Sequence, residues 1–114
     1  MKVGVVGSRT FGDYDLMCKT LDAYPIKEII SGGAYGADKL AEYYARRHHL
    51  NLTVHHPLYD RYGKGATHIR NKLIVDESDI IVAFWNGVSR GTFSTISFAR
   101  QAGKKVVIVN TEEI

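Results

Sequence analysis

Four short stretches carry residue types that could do chemistry. Gly7-Ser8-Arg9 ends a first apolar run, and Ser31-Gly32-Gly33-Ala34-Tyr35-Gly36-Ala37-Asp38 ends a second. Trp85-Asn86-Gly87-Val88-Ser89-Arg90-Gly91-Thr92 follows a later, strongly apolar run, and Thr67-His68-Ile69-Arg70-Asn71 opens the amphipathic stretch before it. Glycines at a strand-to-helix turn let backbone approach a ligand with no Cβ in the way. The free N–H groups of a helix start, with the helix dipole, favour an anion. On this basis Gly32, Gly33 and Gly36 are expected to cradle a phosphate, and Gly91-Thr92 to repeat the device on a neighbouring strand. Arg9, Arg70 and Arg90 flank these loops, and guanidinium groups bind phosphate bidentately. Asp38 has two readings at a helix start. It caps or charges the first turn, or it accepts a hydrogen bond from a ligand hydroxyl. Trp85 and Tyr35 offer ring faces on which a base could stack.

Other chemistry is poorly served. The adjacent pairs His48-His49 and His55-His56 have no carboxylate at ligand spacing, so no metal is expected. No GxSxG elbow, GxxxxGK[ST] loop or GxGxxG fingerprint occurs, which disfavours an ordinary NAD oxidoreductase, and no cofactor is expected.

These loops need elements to hold them. Val3–Val6, Glu28–Ser31, Leu52–His55, Ile80–Phe84 and Lys105–Val109 read as strands. Between them, apolar residues at helical spacing run through Tyr14–Leu21, Leu40–His48, Ile69–Val75 and Phe93–Ala99, while Pro57 to Gly65 reads as turns. Two-sided apolar strands alternating with helices predict an α/β fold, a Rossmann-like doubly wound parallel sheet of about five strands with helices on both faces. Ligands of such sheets bind beyond the strand carboxyl ends, where the four stretches fall.

Length and composition bound the rest. The chain has 114 residues, 45% hydrophobic and 24% charged, with a net charge of +3. That predicts one domain over 1–114, with a core modest enough for a second copy to help. The 15 Lys and Arg are scattered, with no run longer than two, so a small anion is favoured over a nucleic acid. Cys18 is alone and sits on a core stripe, which leaves no internal disulfide. No leader and no membrane-length apolar run is apparent, so a cytoplasmic protein without a membrane partner is expected.

Taken in order, GSRTF, SGGAYGAD, IRNKLIVDESDIIVAFW and GVSRGT span residues 4–109 and resemble the SLOG superfamily, in particular its small YspA-like, YpsA-related branch. The resemblance implies a Rossmann-like domain that binds a nucleotide or nucleotide-derived phosphorylated ligand, as a sensor or sequestering module and often as a homodimer or larger homo-oligomer. It implies contacts from Gly7, Ser8, Arg9, Ser31, Gly32, Gly33, Tyr35, Gly36, Asp38, Arg70, Asn71, Trp85, Gly87, Arg90, Gly91 and Thr92. The superfamily's phosphoribohydrolases carry a catalytic arginine, which Arg70 matches, and a PGGxGTxxE loop. Gly91-Thr92 matches the GT, but the glutamate position falls on Thr95 and the Pro-Gly-Gly is absent. A threonine cannot stabilise an oxocarbenium-like centre as a carboxylate does, so binding is expected over turnover. An N-glycoside hydrolase acting on nucleoside monophosphates or ADP-ribose derivatives through Arg70 and Asp38 is the alternative. Single-stranded DNA, by analogy with the superfamily's DNA-processing members, is the third option.

Overall fold

The computed structural model describes residues 1–111. In chain order the elements are β1 (Lys2–Gly7), α1 (Tyr14–Leu21), β2 (Glu28–Ser31), α2 (Ala37–Arg47), β3 (Asn51–Val54), α3 (Tyr59–Tyr62), α4 (Ala66–Glu77), β4 (Ile80–Trp85), α5 (Arg90–Gln101) and β5 (Lys105–Asn110), with a 3-10 turn at Gly63–Gly65. The five strands are all parallel, in the order β3-β2-β1-β4-β5. This is the expected doubly wound Rossmann-like sheet. Two differences are local: Pro57 to Gly65 holds a helical turn and a 3-10 turn rather than turns alone, and α4 begins at Ala66 and ends at Glu77, beyond the apolar stripe that marks it.

Alternation along the strands builds two cores. Val3, Val5, Ile29, Val82 and Phe84 face α1 and α2, and pack on Met17, Leu21, Ala41 and Tyr44. Val6, Ile30, Ile81 and Ala83 face α4 and α5, and pack on Ile74, Val75, Ile96 and Ala99. Each of the Val, Leu, Ile, Phe and Met side chains among them contributes about 1.5–3 kcal/mol on burial. Small residues set how closely the layers approach: a Cβ on Gly7 would lie 2.6 Å from the Ala37 methyl. Asp13 starts α1 by accepting the Leu16 N–H at 3.0 Å, and Ser89 starts α5 by accepting that of Thr92.

The chain leaves β1 toward β2 on one side, and β4 enters on the other. The sheet's switch point therefore lies between β1 and β4, with the loops after both strands flanking it. No helix among the described residues is long and apolar enough to cross a membrane.

Candidate nucleotide site

A cleft of two joined chambers opens at that switch point. The inner chamber, about 250 Å³, is walled by Arg9, Asp38, Arg70, Asn71, Thr92 and Thr95, over an apolar floor of Val6 and Ile74, and is completed by Gly7, Ala34, Thr67, Ser89 and Gly91. The outer chamber, about 340 Å³, is lined by Gly32, Gly33, Tyr35, Lys39, Pro57 and Tyr59. Arg9, Ala34, Thr67 and Arg70 border both and form the waist between them.

The loop after β2 is held by the chain itself. Gly33 N–H donates to Ser31 Oγ at 3.2 Å and Ala34 N–H to Asp38 Oδ2 at 3.2 Å, while Ala37 N–H donates to the Ser8 carbonyl at 3.3 Å. Gly36, at φ +76°, lies where a Cβ would meet the Ser8 and Arg9 carbonyl oxygens at 2.4 Å. Ser31 Oγ also donates to the buried Glu42 carboxylate, 3.1 Å away. The amides expected to cradle a phosphate at this loop are thus largely committed to the fold.

The loop after β4 is different. Asn86 Oδ1 accepts the Val88 and Ser89 N–H groups in a tight turn, and Trp85 Nε1–H donates to the Ser89 carbonyl at 3.0 Å. This delivers Ser89 to cap α5. Among the described residues the Arg90 and Gly91 amides have no protein acceptor, and a Cβ on Gly91 would meet nothing within 4 Å. At the start of α2 the Ala37 N–H is committed to Ser8, while those of Asp38 and Lys39 likewise have no protein acceptor among the described residues. Both helix starts thus keep open amides, and that of α5 opens on the inner chamber through Gly91.

Arg70 and Asp38 form the charged centre. Arg70 Nη1–H donates to the Gly32 carbonyl at 2.6 Å and Nε–H to Asn71 Oδ1 at 2.8 Å. Asn71 in turn reaches the Gly91 carbonyl at 3.5 Å, which ties α4 to the start of α5. Asp38 is 6% exposed. Burial pushes its carboxyl up to about 6 from 3.8, although the Ala34 amide and the Arg70 charge pull it the other way. It does not cap α2, whose N-cap is Gly36; its side chain turns back to hold Ala34 and faces the inner chamber. Thr95, at the position of the superfamily glutamate, is buried on the wall and donates to the Gly91 carbonyl at 3.2 Å.

Of the residues singled out by sequence, Gly7, Arg9, Asp38, Arg70, Asn71, Gly91 and Thr92 line the inner chamber, and Gly32, Gly33 and Tyr35 line the outer. Ser8, Ser31, Gly36, Trp85, Gly87 and Arg90 do not line either. Ser8 clamps the loops, its carbonyl holding Ala37 and its hydroxyl the Asn86 amide at 3.3 Å. Trp85 is the last residue of β4 rather than a free face beyond it, and packs on Phe93 with ring centroids 5.9 Å apart. Lys39, Pro57 and Tyr59 were not anticipated, and Thr67 lay in the stretch ahead of Arg70 without being singled out. Lys39 follows Asp38 directly, and Tyr59 belongs to the unforeseen turn of α3, so adjacency to a loop residue was the only signal for the first and none existed for the second.

Comparison with known proteins agrees with this architecture. The fold matches DNA processing protein A from Helicobacter pylori, whose structure describes a unique single-stranded DNA binding mode, with TM-score 0.74 and 19% identity over 98% of this chain and 66% of that one. It also matches DNA processing protein A from Streptococcus pneumoniae, with TM-score 0.75 and 20% identity over 99% of this chain and 51% of that one. The chain therefore spans about two thirds and about half of these two proteins. No curated protein matches the sequence significantly. Residues 1–62, more than half of the chain, match the family model described as the YspA, cpYpsA-related SLOG family, and the chain belongs to that family.

Proposed function

We propose that the cleft binds a nucleotide or nucleotide-derived phosphorylated ligand, with its phosphate at the start of α5, its sugar beside Asp38 and its base in the outer chamber. The observation that carries this reading is the order of chemistry along the cleft. The inner chamber holds free helix-start amides, the Ser89 and Thr92 hydroxyls and the Asp38 carboxylate, Arg70 stands at the waist, and two exposed tyrosines line the outer chamber. Phosphate, sugar and base follow one another in the same order in a 5′-nucleotide. The two chambers together fall within the ~300–1,000 Å³ of small-molecule sites. Arg70 spends Nε and Nη1 on the protein, which fixes its plane and leaves Nη2 with no protein acceptor among the described residues. Tyr35 and Tyr59 are 75% and 57% exposed, as stacking faces must be.

Binding rather than turnover is favoured because the cavity wall offers one carboxylate, Asp38, which is already engaged with Ala34. Hydrolysis of an N-glycosidic bond would require that same group to stabilise the sugar cation.

A second reading, single-stranded DNA, is favoured by one observation: Arg9 and Lys39 line the outer chamber together with Tyr35 and Tyr59, a set suited to backbone charge and stacked bases. Calorimetric titration separates the readings. A 5′-nucleotide should bind at least tenfold more tightly than its nucleoside, with an affinity that changes little with salt, while a strand contacting several phosphates weakens steeply. Equal affinity for nucleotide and nucleoside would overturn the phosphate assignment.

A further inference from the structure

Residues 57–65 run beside the outer chamber as a strap between β3 and α4. Pro57 starts it, α3 and the 3-10 turn form its body, and the buried Ala66 at the head of α4 anchors its far end. One side faces the cleft, where Pro57 and Tyr59 line the outer chamber. The other side faces a groove of about 270 Å³, which Leu58 and Tyr62 line together with Ile69 and Leu73. The strap is thus a partition one chain thick between two open spaces.

Little holds it in place. No residue of α3 or of the 3-10 turn is buried. Leu58 is 54% exposed and Tyr62 39%. The hydrogen bonds of α3 close on the strap itself: the Arg61 and Tyr62 N–H groups donate to the Leu58 carbonyl at 3.1 and 2.9 Å, and that of Gly63 to the Tyr59 carbonyl. Among the described residues no hydrogen bond or ion pair joins residues 57–64 to the sheet or to the loops that form the cleft's other walls. A segment with so few buried contacts belongs to the low end of local stability, from which lids are drawn. Gly63 supplies a pivot. Its φ of +57° and ψ of −130° suit glycine, yet a Cβ there would meet nothing within 4 Å. Glycine serves here for its torsions and not for space.

We propose that this strap is a lid that closes over the outer chamber when a nucleotide binds, carrying Tyr59 onto the base. The lid rests on the nucleotide assignment of the cleft and adds a moving part to it. Tyr59 has no ring partner among the described residues. A base in the outer chamber supplies one, and such stacking is worth about tenfold or more in affinity. That gain exists only in the closed state, so it shifts the population toward closure. Closure gives up few contacts, because the space behind Leu58 and Tyr62 is a groove and not a close-packed core.

Amide hydrogen exchange of the full chain, read by mass spectrometry with and without saturating AMP, GMP, CMP or UMP, tests this. In the free protein residues 59–65 should exchange about a hundredfold or more faster than residues 70–77 of α4. A nucleotide that binds should slow the strap about tenfold or more. In Tyr59→Ala the free strap should exchange as before, and the nucleotide should bind about tenfold more weakly. At saturation it should still protect residues 89–92 of that variant but no longer the strap. A free strap as well protected as α4 overturns the lid. So does a strap that the nucleotide protects equally in Tyr59→Ala. Protection at 89–92 with none at 59–65 removes the lid and leaves the nucleotide site standing. No protection with any of the four overturns the site and the lid together.

Discussion

The two glycine-rich loops of this protein look alike in sequence and do opposite things in the structure. After β2, Gly32, Gly33 and Gly36 exist to let the chain fold against itself: Gly32 lies under Arg70, Gly33 beside the His56 ring, and Gly36 against the backbone of Ser8 and Arg9. After β4, Gly91 meets nothing, and its amide stands at an open helix start. One loop is a strut that positions Asp38 and Arg70. The other is the seat that the proposed function gives to the phosphate. A missing Cβ marks close approach, but only the fold shows whether protein or solvent occupies the space.

That contrast gives its largest effect at Gly36. Gly36→Ala adds a Cβ 2.4 Å from two backbone oxygens, at a φ of +76°. It should lower stability by about 4 kcal/mol, since strain and overpacking combine, read as the midpoint of urea unfolding. Unaltered stability would show that the strut is not fixed as described.

Arg70→Met comes next. It removes the guanidinium from the waist and should weaken nucleotide binding by roughly 10–100-fold, the worth of one charged hydrogen bond. Arg70→Lys should not restore it, because a point charge cannot hold Gly32 and Asn71 while facing a ligand. Calorimetry reads both variants.

Asp38 sharpens the comparison through pH. Its folded-state value of about 6 is above its ordinary 3.8. The folded protein therefore keeps a proton that the unfolded chain gives up, and stability falls as pH rises from about 4 to about 6. A shift of this size corresponds to at most about 3 kcal/mol. Asp38→Asn should recover about 1–2 kcal/mol at pH 7, because a neutral amide still accepts from Ala34 and loses only part of that bond. The stability difference between the two proteins should grow over the same interval and then level off. The same change should weaken ligand binding, a trade of stability against function. A variant no more stable at pH 7 would contradict the burial argument.

The smallest effect belongs to the seat. Gly91→Ala should leave stability within about 0.5 kcal/mol, as an unstrained exposed position allows. Yet it should weaken nucleotide binding several-fold, by placing a methyl at the proposed phosphate position. Unfolding and titration on one sample would show whether stability and binding separate at this loop as they do not at Gly36.

The fold was legible because Ile80–Phe84 and Lys105–Val109 are apolar on both faces and alternate with helices, which leaves a parallel sheet as the consistent arrangement. Arg9, Asp38, Arg70, Gly91 and Thr92 were legible because the sheet rule places ligands at strand carboxyl ends. Trp85, Gly87 and Arg90 lie at that same edge yet line neither chamber, since a loop's sequence does not say which way its side chains turn. Tyr59 was hidden for a further reason. It lines the cleft from α3, and four residues of helix leave no periodicity to read.

The most direct test of the central claim is a two-dimensional amide NMR titration of the intact protein with 5′-nucleotides. The account predicts saturable shifts at Gly91, Thr92, Gly7 and Ala34, with smaller ones at Tyr35 and Tyr59. Saturable shifts confined to other surfaces, or none with any nucleotide, would contradict it.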